Sequence, residues 1–122
     1  MLKKDYLLAQ IIELAKKFAY LLQRKNEGDD ITILSDNYYH ELNVSAEWLE
    51  NSECEEIFCR VGDWQLVELL VKMMVEDSRF ENNRYMVLKA QTLLFMVQEL
   101  DRTFSFERID LENKIEKLLK SC

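Results

Sequence analysis

The chain has 122 residues, with 16 basic and 23 acidic side chains and a formal net charge of −7. Apolar residues are 48% and charged residues 32%, a balance that excludes disorder and collagen-like repeats and points to one globular domain over 1–122. Two glycines and no proline are too few turn residues for a sheet sandwich, so an all-α fold is expected, while the acidic balance disfavours nucleic-acid phosphate and anionic lipid as partners.

The first helix is expected from about Asp5 to Lys25, with Asp5 as N-cap. Placed at 100° steps, Leu7, Leu8, Ile11, Ile12, Leu14, Ala15, Phe18, Ala19, Leu21 and Leu22 fill one half of its cylinder, an arc wide enough for two neighbours. Arg24 and Lys25 favour its C-terminus, and Gly28 ends it. The segment from Asp30 to Leu42 carries β-branched residues in Ile31-Thr32-Ile33, yet Ile31, Leu34, Tyr38 and Leu42 share a helical face. Helix, with Asp30 as N-cap, is the preferred reading, since a lone strand has no partner. Ser45 caps a short turn bearing Trp48 and Leu49, and Ser52-Glu53-Cys54-Glu55 reads as a capping box before Ile57 and Phe58.

Gly62-Asp63 marks the start of a helix to about Asp77. Its polar residues Gln65, Glu68, Lys72 and Glu76 form one narrow stripe, and the remainder is apolar, so this is the expected central helix. A further helix runs from Asn82 or Asn83 to about Arg102, with Met86, Val87, Ala90, Leu93, Leu94, Val97 and Leu100 as its core face. Ser105 caps a last helix to about Lys120, with Leu111, Ile115, Leu118 and Leu119 inward and two i, i+4 pairs, Asp110–Lys114 and Glu116–Lys120. The architecture expected is an irregular bundle, or a stack of tetratricopeptide-like helix hairpins, of about five to six helices.

The hairpin Asp63–Arg102 resembles that of tetratricopeptide-type repeats, without the signature spacing of Trp, Leu-Gly, Tyr, Ala and Pro. Asp5-Tyr6, Gln10-Ile11 and Leu14-Ala15, with a looser match over Leu93–Ile109, resemble a family of small uncharacterised bacterial helical proteins. That resemblance implies a bacterial, tetratricopeptide-like helical fold and no assigned activity or catalytic residue.

The opening Met1-Leu2-Lys3-Lys4 resembles a signal-peptide start, but Asp5, Gln10, Glu13 and Lys16 interrupt any apolar region after it. No uncharged stretch reaches the ~18 apolar residues that a membrane span needs. Cys54, Cys59 and Cys122 are an odd number, so reduced thiols and a cytoplasmic location are expected.

Chemistry-bearing patterns are sparse. His40 is the single histidine, with Asp36 one turn before it; this spacing can orient an imidazole or hold a cation, yet zinc needs three or four ligands. Cys54 and Cys59 are five apart, about 140° round a helix, too divergent for one tetrahedral site. A Cys–His nucleophile pair between either of them and His40 has no local signature. Nucleotide-binding, hydrolase and metalloprotease motifs are absent, so neither cofactor nor metal is expected. The methionines Met73, Met74, Met86 and Met96 read as core filling.

Two features point to surfaces. From Glu27 to Cys59 there are ten acidic residues, Glu47, Glu50, Glu53, Glu55 and Glu56 among them, and no Lys or Arg: a solvated face, or a docking surface for a basic partner. Leu88 and Phe95 lie seven apart amid the polar residues Arg84, Gln91, Thr92, Gln98, Glu99 and Arg102. Either the last helix covers them, through Leu111, Ile115 and Leu118, or they mark an interface. The leading expectation is a non-enzymatic protein-interaction module, with a basic or apolar partner or a second copy. The alternative is a small enzyme or cation-binding protein using His40, Asp36 and neighbouring carboxylates.

Overall fold

The apolar periodicities fold as helices throughout a computed structural model that describes residues 3–121. Its elements are α1 (Lys3–Asn26), α2 (Thr32–Glu41), α3 (Ala46–Asn51), α4 (Cys54–Val61), α5 (Trp64–Glu76), α6 (Arg84–Leu100) and α7 (Phe106–Ser121). Among the described residues there is no strand, and the helices number seven rather than five or six. The difference arises in the middle, where the Trp48 turn and the Cys54 segment are separate short helices. Cys122 lies outside the described residues; Cys54 and Cys59 are free thiols.

α5 is the centre. Asp63 caps it by accepting from the Gln65 amide, and Leu66, Val67, Leu69, Leu70, Val71, Met73, Met74 and Val75 are all buried. α6 returns beside it as the second arm of a hairpin, capped by the Asn83 side chain at the Met86 amide. α1, α4 and α7 complete the enclosure of α5, and α2 packs on α1. Gly62, at φ 94°, supplies the left-handed residue that separates α4 from α5.

Several local details differ from the sequence reading. α1 already runs through Lys3, so Asp5 sits in its first turn, where its carboxylate still meets the positive end of the dipole. Its apolar arc is only partly used. Leu14 and Leu21 are buried, while Leu8, Ile12, Ala15 and Ala19 face outward, because α2 and α5 cover a narrower stripe than the sequence offers. Asp30 acts one residue early. Its carboxylate accepts from the Thr32 amide and hydroxyl, while Ile31 is the N-cap. The capping box belongs to Glu53 and Glu56, one residue beyond Ser52 and Glu55. Leu100 is exposed, at the C-terminus of α6. Neither expected pair on α7 forms. Lys114 reaches across to Glu76 of α5 instead of Asp110, and Glu116–Lys120 does not close.

Buried charges fasten the outer helices to the α5–α6 hairpin. Lys89, on the core side of α6 and 5% exposed, donates to the carbonyls of Leu49 (2.8 Å), Glu50 (2.9 Å) and Ser52 (2.6 Å). It thereby supplies the donors that the C-terminus of α3 lacks. Ser52 is the C-cap of α3, and the box that opens α4 starts at Glu53. Asp77, beyond the end of α5, accepts from Tyr39 of α2 (2.8 Å) and from Arg79, whose guanidinium also holds Asp36 (2.9 Å). Burial first, and the neighbouring Asp77 carboxylate second, push the Tyr39 phenol well above its ordinary pKa, so it stays a donor. Lys25 of α1 donates to the Glu76 carbonyl at 2.7 Å.

Replacing Lys89 with Met keeps the stem and removes the three hydrogen bonds. The expected loss is about 2–4 kcal/mol, because three carbonyls lose a charged donor. Urea unfolding at neutral pH measures it; a loss within experimental error would show that water replaces the ammonium without cost.

Candidate functional site

The face of α6 that turns away from α5 carries exposed apolar side chains. Lys89 and Gln98 are nine positions apart, about 180° round the helix. Lys89 is tied to the α3–α4 segment, and Gln98 donates to Glu112 of α7. Leu88 and Phe95 lie on the arc between these two flanks. Leu88 is 38% exposed and Phe95 59% exposed, so the last helix does not cover them.

The reason is the seat of α7, which is set by Arg108. This side chain is 6% exposed. Its Nε donates to Glu68 of α5 at 2.8 Å, its Nη2 to the Asp101 carboxylate at 2.7 Å and its Nη1 to the Asp101 carbonyl at 2.7 Å. The guanidinium also lies 5.4 Å from the centre of the Trp64 ring. Ser105 caps α7 at the Arg108 amide, and Leu111 and Ile115 follow Arg108 into the core. With these three residues turned towards α5, α7 stands beside α6 and leaves a groove between them. The groove has a hollow of about 470 Å³ lined by Gln91, Leu94, Phe95, Gln98, Glu112 and Ile115 among others. A smaller one of about 290 Å³ continues past Gln98 and Glu112 to Ile109 and Phe104.

The acidic stretch divides into two parts. Asp29 is paired with Arg24, Asp36 with Arg79 and Glu41 with Lys17, so cations from elsewhere in the fold meet its first half. Glu47, Glu50, Glu53, Glu55 and Glu56 of the α3–α4 segment are exposed and, among the described residues, have no cationic partner. On the opposite flank of α6, Glu112 and Glu116 of α7 line the groove. The groove beside the apolar face is therefore acidic on its α7 side.

The His40 region is arranged differently from the sequence expectation. His40 lines a separate hollow between α1 and α2 with Lys17, Tyr20, Asn37 and Glu41. Asp36 is drawn away to Arg79, and Lys17 and Glu41 are paired with each other. Among the described residues no group of three or more His, Cys, Asp or Glu side chains is placed to hold a metal ion. Burial pushes the Cys54 thiol up, against the shift that makes a thiolate nucleophile. Likewise, among these residues no helix is long and apolar enough to cross a membrane.

Arg108, Lys89, Ile109 and the Glu112–Glu116 pair were not singled out by sequence reasoning. A faint signal existed for the two cations: Arg108 shares a helical face with Leu111 and Ile115, and Lys89 with Met86 and Leu93. Comparison of the chain with family models, curated proteins and solved structures finds no match.

Two outcomes are expected. Phe95→Ala should change stability by less than about 1 kcal/mol, whereas its buried neighbour Leu94→Ala should cost about 2–5 kcal/mol; urea unfolding of both variants separates them. The second concerns acid. Hydrogen bonds from Arg108 first, and from Thr103 second, hold the Asp101 carboxyl below the ordinary aspartate range. A depressed carboxylate stabilises the fold above its unfolded pKa and loses that contribution as pH falls through its folded value. Stability should therefore decline in the strongly acidic range, below the usual aspartate pKa of about 3.9, and decline less steeply in Arg108→Met.

Proposed function

We propose that the protein is a non-enzymatic protein-interaction module whose working surface is the outward face of α6 with the adjoining α6–α7 groove. The observation that carries this reading is Phe95, 59% exposed beside a hollow floored by Leu94 and Ile115. An aromatic ring on a helix face, next to an apolar hollow, is the form an interface anchor takes. Leaving it in water forgoes part of the roughly 1.5–3 kcal/mol that burying such a side chain provides. The catalytic alternative draws less support, because Asp36 is committed to Arg79 and stands apart from the hollow of His40. The resemblance to small uncharacterised bacterial helical proteins implies no activity.

Affinity capture from source cells with the wild-type chain and with Phe95→Asp tests the proposal. A partner recovered by the wild type should be identified by mass spectrometry, purified and titrated against both chains. The expected result is binding by the wild type and a loss of about tenfold or more in Phe95→Asp, with the thermal midpoint unchanged. A partner that binds both chains equally would place the interface elsewhere.

A further inference from the structure

We infer that the occupant of this face is a basic amphipathic helix of another protein, seated along α6 beside the acidic flank of α7. The inference rests on the interaction reading above and gives the partner its chemistry.

Shape argues for a helix. Leu88 and Phe95 are two turns apart, about 10 Å along the axis of α6, and Leu94 and Ile115 floor the hollow beside them. An incoming helix with apolar residues at i, i+3, i+4 and i+7 presents the same repeat. Strand addition has no template here, since no strand is present among the described residues.

Charge argues for lysine and arginine beside that apolar stripe. The larger hollow is lined by Glu112 and Glu116 and by no cation. The nearer cations are engaged. Lys89 is buried against carbonyls, Arg108 is held by Glu68 and Asp101, Arg84 donates to the Leu119 carbonyl at the end of α7, and Arg102, which lines the smaller hollow, pairs with Glu99. Charge also argues against a second copy of this chain. Two-fold pairing through this face would bring the glutamates of one copy near those of the other, and each copy already carries a net charge of −7.

The test uses a fluorescent model peptide made of leucine and lysine, with leucine at helical spacing, and a counterpart in which glutamate replaces every lysine. Fluorescence anisotropy with the full chain should show binding of the lysine peptide that weakens with salt, and at least about tenfold weaker binding of the glutamate peptide. Phe95→Asp should weaken the lysine peptide by about tenfold or more. This variant makes the surface more acidic, so diffuse electrostatic attraction alone would strengthen binding instead. The double variant Glu112→Lys, Glu116→Lys should also weaken it, whereas Glu13→Lys on α1 should leave it nearly unchanged. Circular dichroism of each variant verifies folding.

Equal binding of the two peptides, or lysine-peptide binding that survives Phe95→Asp, would overturn the basic-helix assignment. If the natural partner still depends on Phe95 in that event, the interaction reading stands and only the partner's chemistry is wrong. If neither depends on Phe95, both fail. Concentration-dependent dimerisation that Phe95→Asp abolishes would assign the face to a second copy and likewise overturn the inference.

Discussion

The whole arrangement depends on enclosing one helix. α5 leaves only the line of Gln65, Glu68, Lys72 and Glu76 for polar contact, and every other residue from Leu66 to Val75 is buried. Isolated in water, such a helix would expose apolar surface on nearly all sides. α6, α1, α4 and α7 remove that surface from different directions. Even the polar line is put to use, since Glu68, Lys72 and Glu76 all pair with residues of α7.

Apolar enclosure by itself would tolerate many relative positions of the outer helices, because hydrophobic contact is non-directional. Direction comes from the buried charges. Lys89 meets the carbonyl end of α3, Arg108 joins α7 to α5 and to the end of α6, and Asp77 gathers Tyr39 and Arg79 at the turn between α5 and α6. Each is surrounded by compensating partners, so its burial carries a limited desolvation cost while misplacement of the helix would strand a charge. The seat of α7 illustrates the consequence. With Arg108, Leu111 and Ile115 facing the core, α7 cannot also roll over Phe95. The open groove therefore results from how the core is satisfied.

That groove is the basis for reading the protein as a binding module. Its apolar floor meets an acidic margin on α7, formed by Glu112 and Glu116. The hollow around His40, by contrast, has its opposite charges, Lys17 and Glu41, paired with each other. A site whose charges are already matched internally has less to offer a charged ligand than a surface whose charges remain unmatched.

The sequence by itself determined the helical class, the central place of α5 and the caps at Ser45, Asp63 and Ser105, and narrowed the cap of α6 to Asn82 or Asn83. These follow from local periodicity and from short side chains that satisfy neighbouring amides, effects that act within a few residues. It also singled out Phe95 and Leu88 as an anomaly on a polar face. Only the tertiary structure decided that they stay uncovered, that Lys89 and Arg108 turn inward, and that α1 uses barely half of its apolar arc. A helical wheel states which residues share a face, but which face meets a neighbour depends on partners 37 or 40 positions away, such as Ser52–Lys89 and Glu68–Arg108. The division of the acidic stretch was settled in the same way: Lys17, Arg24 and Arg79 reach its first half through space, and no cation pairs with the glutamate carboxylates of α3 and α4 among the described residues. Coulombic pairing follows distance in space, and distance along the chain does not record it.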